Sequence, residues 1–169
     1  WLGMLGGMSS ELCVIEPATR DDLPALVALL GLLFAQEAEF TPVPALQEKG
    51  LRLILSQPEV GQVWVVRQGA QVVGMCCLLF SVSTALGARV AWLEDVVIHP
   101  SVRARGWGAA LLAEVMRQAE LAGCERLTLL TDGSNVDAQR FYARMGFTTS
   151  SMLPMRRQLI HSAESKGKT

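Results

Sequence analysis

The residues with the clearest chemical promise form one continuous segment, Glu94-Asp95-Val96-Val97-Ile98-His99-Pro100-Ser101-Val102-Arg103-Ala104-Arg105-Gly106-Trp107-Gly108-Ala109-Ala110-Leu111-Leu112. A strand ends here, and a loop with two arginines and two glycines opens a helix. Glycine lets backbone approach a ligand closely. The first amides of a helix lack intrahelical acceptors and, with the helix dipole, favour an anion such as pyrophosphate. Arg103 and Arg105 add charge-assisted donors. The segment contains no Gly-Lys-Ser/Thr, so it is not a P-loop. Leu111 stands where the third glycine of the dinucleotide fingerprint would fall, so that pattern is incomplete too. A basic surface turn ahead of an ordinary helix remains the alternative reading of the same residues.

The elements that must position this loop are readable from periodicity. Leu12–Glu16 alternates as a first strand. Thr19 is a candidate N-cap, and Leu23, Leu26, Val27, Leu30, Leu33 and Phe34 recur at helical spacing. Thr41-Pro42-Val43-Pro44 breaks that helix, and a second is expected over 45–56 with Leu46, Leu51, Ile54 and Leu55 inward. Strands over 62–67, 72–83 and 89–98 form an antiparallel meander. A strong helix follows over 108–122, with Leu111, Leu112, Val115, Met116 and Ala119 inward. A short strand over 124–130, a helix over 138–145 ended by Gly146, and strands over 147–149 and 155–160 complete the chain. The order β-α-α-β-β-β-α-β-α-β-β predicts one α/β domain: a mixed, mostly antiparallel twisted sheet of about six to seven strands, flanked by about four helices.

Composition narrows the function classes. The chain has 169 residues, half of them hydrophobic, which suits one domain with a sizeable core. The domain is expected over residues 8–160, with 1–7 as flanking residues and 161–169 as a polar tail. A net charge of −1 provides no global field for nucleic acid or an anionic membrane. It hides an asymmetry: residues 1–60 carry three bases and eight acids, or −5, and residues 61–169 carry twelve bases and eight acids, or +4. The longest apolar run, Leu23–Phe34, is 12 residues, where a spanning helix needs about 20. No signal-peptide pattern is visible. Cys13, Cys76, Cys77 and Cys124 form no C-x-x-C pair, and His99 and His161 are the only histidines. The cysteines read as buried small hydrophobes of a reduced, cytoplasmic protein, with no metal site expected.

The loop fits R-x-x-G-x-G/A as Arg103-Ala104-Arg105-Gly106-Trp107-Gly108. With the element order and the downstream Asn135 and Phe141-Tyr142-Ala143-Arg144-Met145-Gly146-Phe147, the sequence resembles the GNAT superfamily of acetyl-CoA-dependent N-acetyltransferases over roughly residues 12–160. Leu93-Glu94-Asp95, with Arg103 nine residues after Glu94, and the seven-residue step from Asn135 to Tyr142 are similar to its diamine and polyamine acetyltransferase branch.

The resemblance implies a GNAT fold, acetyl-CoA as co-substrate, and a small, cationic amine acceptor. Amides of Arg103, Ala104, Arg105, Gly106, Trp107, Gly108 and Ala109 would cradle the pyrophosphate. Val96, Val97 and Ile98 would line the pantetheine arm, with an amide near Val96 polarising the thioester carbonyl. Asn135 and Ala138 would hold the co-substrate from the far side. Glu94 would be the general base, directly or through water, and Tyr142 the acid that protonates the departing sulfur. A solvated strand carboxylate and a packed helix aromatic are the alternatives for these two. By strand alternation Asp95 points away from Glu94 unless a bulge re-aims it. Glu37 and Glu39, in the acidic part of the chain, are expected contacts for a cationic acceptor, together with Asp95. Trp107 is expected to pack the helix entrance and His99 to be a loop residue. The family is often dimeric, so a homodimer is expected. A protein or peptide N-acetyltransferase and a non-catalytic CoA-binding module are the competing functions.

Overall fold

A computed structural model describes residues 13–36 and 41–159. The expectations for residues 1–7, Glu37, Glu39 and the tail 161–169 lie outside the described residues. The elements run β1 (Cys13–Pro17), α1 (Leu23–Phe34), α2 (Pro44–Ser56), β2 (Gly61–Gln68), β3 (Gln71–Ser83), β4 (Ala88–Ile98), α3 (Trp107–Leu121), β5 (Cys124–Leu129) and α4 (Val136–Arg144). Short 3-10 turns at Arg20–Asp22 and Pro100–Val102 lead into α1 and the loop before α3.

The five strands lie in chain order. The first three pairings are antiparallel and β4 pairs β5 in parallel. That parallel step requires a crossover, and α3 supplies it. Alternation along β2 and β3 divides the core into two layers. Trp64, Val66, Cys76 and Leu78 face α3 and pack with Leu111, Leu112 and Val115. Val63, Val65, Met75 and Cys77 face the other way and pack with Leu26, Leu30 and Leu51 of α1 and α2. Adjacent Cys76 and Cys77 thus fall on opposite faces, as a strand requires. The sheet is a wall with α3 on one side and α1 and α2 on the other.

The α/β architecture agrees with the sequence expectation, but the strand count does not. Among the described residues the sheet has five strands, and 147–149 and 155–159 are not strands. Beyond Gly146 (φ 90°) the chain meets no pairing partner. Pro154 removes a donor there, and Met152, Leu153 and Met155 are each more than 80% exposed. Apolar residues that bury no face give a strand nothing to form against. Leu46 also departs from expectation: it is 65% exposed. Among the described residues no helix is long and apolar enough to cross a membrane.

One ion-pair cluster ties α1 to the sheet. Asp22, buried at the foot of α1, accepts from Arg67 Nη2 of β2 through both oxygens, at 2.9 and 3.0 Å. It also accepts from the Thr19 amide at 2.8 Å. Arg67 Nε donates to Glu16 of β1. Thr19 therefore acts at a helix start as expected, inside a brace that also spans β1 and β2.

Candidate active site

The site begins where β4 leaves β5. Pairing between them runs from Arg89↔Cys124 to Leu93↔Leu129 and goes no further. Beyond Leu93, β4 continues to Ile98 and pairs only with β3, through Met75↔Val97 and Gly74↔Ile98. The backbone of Glu94–Ile98 therefore presents a strand edge toward the side that β5 has left.

The end of β4 feeds the basic loop. His99 Nδ1 contacts Ser101 Oγ at 2.7 Å and accepts from the Ser101 amide at 3.3 Å, so it shapes the turn. Arg103 Nε donates to the Ile98 carbonyl at 2.9 Å, folding the loop back on the strand. Ala104 and Gly106 both have left-handed backbones, at φ 60° and 83°. Left-handed residues interspersed in a loop turn successive amides inward, the geometry of an anion-binding concavity. Gly106 is the N-cap of α3, so the concavity continues into that helix's first turn. Arg103, Ala104, Arg105 and Gly106 are exposed, and Trp107, Gly108 and Ala109 are half-buried. Trp107 packs against the α3-side core, as expected of a helix-entrance residue.

Helix α4 closes the far side. A Cβ placed on Gly108 would stand 3.6 Å from both Ile98 and Phe141, so the start of α3, the end of β4 and α4 meet at this glycine. Tyr142, next along α4, is half-buried and makes edge-on contacts with Phe141 and Phe147 at 5.3 and 5.9 Å between ring centroids. Asn135 is the N-cap of α4, and its Oδ1 accepts from the Ala138 amide at 3.0 Å. That amide is therefore spent inside the helix start. The side-chain amide nitrogen of Asn135 is the group left to reach a ligand.

On the opposite face the two carboxylates behave differently from simple alternation. Met75 to Cys77 spans two steps of β3, whereas its partners Val97 to Glu94 span three of β4. The extra residue is a bulge, and Asp95 within it has φ 55°. Glu94 pairs with Cys77 and shares its face, the one toward α1 and α2. The bulge turns Asp95 to that face as well. There it lines a cavity of about 330 Å³ with Leu30, Phe34, Thr41, Val43, Leu46, Gln47, Gly50, Leu51 and Ile54. Glu94 is exposed and Asp95 half-buried. Burial, and then the Asp95 carboxylate with which it hydrogen-bonds, pushes the Cys77 thiol far up. Among the described residues no group of three His, Cys, Asp or Glu is placed to hold a metal ion.

The cavity itself was not anticipated from the sequence. Its one local signal is Gly50, a glycine in mid-helix where nothing in the turn chemistry asks for one.

This combination defines a class: an α/β domain with an open strand edge beside a basic loop that enters a helix through left-handed residues, and a mostly apolar cavity with one carboxylate on the α1–α2 side of the sheet. The comparisons with known proteins give the family. Residues 27–147 match the Acetyltransferase (GNAT) family, and the chain belongs to it. It is an acetyltransferase of this acetyl-CoA-dependent kind. It is 29% identical over 138 residues to the aminoalkylphosphonate N-acetyltransferase of Salmonella typhimurium, covering 82% of this chain and 86% of that protein. It is similar in fold to a possible acetyltransferase from Clostridium difficile 630, at TM-score 0.79 and 20% identity, covering 89% and 100% of the two chains. It is also similar in fold to a Clostridium acetobutylicum acetyltransferase solved with acetyl-CoA, at TM-score 0.72 and 13% identity, covering 86% and 96%.

Proposed function

We propose that the protein transfers an acetyl group from acetyl-CoA to the primary amine of a small, cationic acceptor by direct attack. The observation that carries this reading is the open edge of β4 beyond Leu93, with the left-handed loop at one end and two carboxylates on the opposite face. Acetyl-CoA supplies an activated acyl carbon. The loop amides from Arg103 to Ala109, with Arg105, hold its pyrophosphate. The backbone of Val96, Val97 and Ile98 aligns its pantetheine arm, and Asn135 contributes from α4.

An alkylamine titrates near pH 10.4, so only about one molecule in 10³ is neutral at pH 7. Glu94 takes the amine proton, directly or through one water. The acceptor nitrogen bonds to the acyl carbon as the carbon–sulfur bond breaks. Tyr142 gives its proton to the departing sulfur, so the products are the N-acetylated amine and free CoA thiol. An exposed Glu94 is suited to exchanging its proton with solvent between turnovers. The relative that acetylates an aminoalkylphosphonate supports an amine on a small molecule over a peptide acceptor. A cytoplasmic location is supported by Cys13, Cys76, Cys77 and Cys124, which form no disulfide. A homodimer is supported by the exposed apolar residues Met152, Leu153 and Met155.

The test is thiol release from acetyl-CoA on a panel of amines, with acetyl-CoA binding measured alongside. Tyr142→Phe should lower kcat by about 10²-fold with acetyl-CoA affinity unchanged. Glu94→Gln should lower kcat/KM most near neutral pH and least above pH 9. Unchanged turnover in Tyr142→Phe removes that residue as the acid. A Glu94→Gln pH profile that overlays the parent places the base elsewhere.

A further inference from the structure

The cavity between α1 and α2 has a lining that constrains what can sit in it. Of its ten described lining residues, Leu30, Phe34, Val43, Leu46, Leu51 and Ile54 are apolar, and Asp95 alone carries a charge. Leu51 is buried and Leu46 is 65% exposed, so the space runs from the core to the surface. Asp95 lies on β4 directly before Val96, at the opening in the sheet. Its place is fixed by the bulge in the ladder with β3.

From this we infer that the acceptor is an alkyl- or arylalkylamine with a single cationic nitrogen, held by the Asp95 carboxylate with its apolar body in this cavity. The inference rests on the acetyltransferase reading and specifies its acceptor. An ammonium beside Asp95 exchanges water for an ion pair next to the strand edge where the thioester would lie. The hydrocarbon beyond it meets Leu30, Leu51 and Ile54, which stabilise it by removing apolar surface from water. Within the cavity a second ammonium or a carboxylate on the acceptor would be desolvated among those side chains, with Thr41 and Gln47 as the uncharged polar groups of the described lining and no second charge to pair it, which is costly. Gly50 keeps the space open: a Cβ added there would meet nothing within 4 Å.

Three acceptors of matched length test this: hexylamine, 1,5-diaminopentane and 6-aminohexanoate. They end in a methyl, an ammonium and a carboxylate. The full chain is assayed for thiol release, with acetyl-CoA affinity measured in parallel. Hexylamine should exceed both others in kcat/KM by at least about tenfold. Asp95→Asn should raise the KM for hexylamine at least about tenfold with acetyl-CoA affinity unchanged. Asn is the substitution of choice because it also tolerates a left-handed backbone. Gly50→Leu should fill the cavity from α2 and lower the ratio of hexylamine to ethylamine kcat/KM at least about tenfold. It reports independently if Asp95→Asn does not fold. If 1,5-diaminopentane or 6-aminohexanoate is the best acceptor, or Gly50→Leu leaves the length preference intact, the inference is overturned while acetyl transfer stands. If no amine turns over although acetyl-CoA binds, the acetyltransferase reading itself fails.

Discussion

Asp22→Ala should be among the most damaging single substitutions outside the site, because Asp22 links helix α1, a wall of the Asp95 cavity, to two strands. Four contacts disappear. They are the Thr19 amide at 2.8 Å, the Thr19 hydroxyl at 3.1 Å, and the two Arg67 contacts at 2.9 and 3.0 Å. Losing a helix-start acceptor costs about 1 kcal/mol. Hydrogen bonds to a charged partner contribute about 1.5–3 kcal/mol. Arg67 keeps Glu16 and is 23% exposed, so it is not left as an unpaired buried charge. The lower end of that range applies, giving about 2.5 kcal/mol in all. For a chain of this size that is a fall in Tm of about 5–10 °C. Asp22→Asn keeps an oxygen for the Thr19 amide and loses the charge, so it should cost about half as much.

Urea unfolding at pH 7 measures both differences, provided the m-value is unchanged. A pH series adds a sign. Burial alone would raise the Asp22 carboxyl, but the Thr19 amide, then the Arg67 and Thr19 side chains, hold it below the ordinary range. The unfolded chain then binds the proton first. The stabilisation is complete above the unfolded value, about 4, and fades as pH falls through the folded one. The gap between the parent and Asp22→Asn should therefore shrink in acid below about pH 4. An Asp22→Ala cost under about 1 kcal/mol, or a gap that stays constant into acid, refutes the brace.

Two further outcomes follow from close packing. A Cβ on Gly74 would stand 2.5 Å from Ile98 Cδ1, 3.2 Å from the Val97 carbonyl and 3.3 Å from Val66 Cγ2. The Ile98 methyl can rotate away but the carbonyl moves only with β4, so Gly74→Val should cost about 2–3 kcal/mol and weaken acetyl-CoA binding. Calorimetry reads both, and unchanged affinity would separate β4 position from co-substrate binding. Cys76 and Cys77 are fully buried and their thiols pushed up by burial, whereas Cys13 and Cys124 are half-buried. In the native protein a thiol reagent should therefore modify at most Cys13 and Cys124, with Cys76 and Cys77 reacting only on unfolding. Native labelling of Cys77 would contradict the packing of α1 and α2 over it.

The helices and the meander are legible in the sequence because each buries one face, so its period is written in its apolar residues. Leu111, Leu112, Val115 and Ala119 are buried together on α3 as their spacing requires. The segment after Gly146 has apolar residues without a face, and they stay exposed. The basic loop is legible for another reason: its glycines mark a turn into a helix, and Gly106 stands there as a left-handed N-cap. The direction of Asp95 is not legible from its own neighbourhood. The bulge depends on how β4 registers against Met75–Cys77, residues some twenty positions away in the chain. The brace at Asp22 is hidden for the same reason, since Arg67 lies 45 residues further on.

The charge asymmetry of the chain acquires a location through that bulge. An acidic first part and a basic second part say only that two fields exist. The fold puts Arg103 and Arg105 in the loop at the end of β4, whereas Asp95, itself in the basic part of the chain, faces the helices of the acidic part. On the proposed reading the anionic co-substrate and the cationic acceptor are kept apart by one strand and the loop that follows it, with Asp95 and Arg105 ten residues apart. A left-handed backbone at a non-glycine residue costs about 1–2 kcal/mol. Without the bulge the alternation of β4 would turn Asp95 toward α3 and leave Glu94 as the one carboxylate of this pair on the cavity side. The strained residue converts a strand with one acidic side chain per face into one that offers two to the same side. That is reason enough for the fold to retain it.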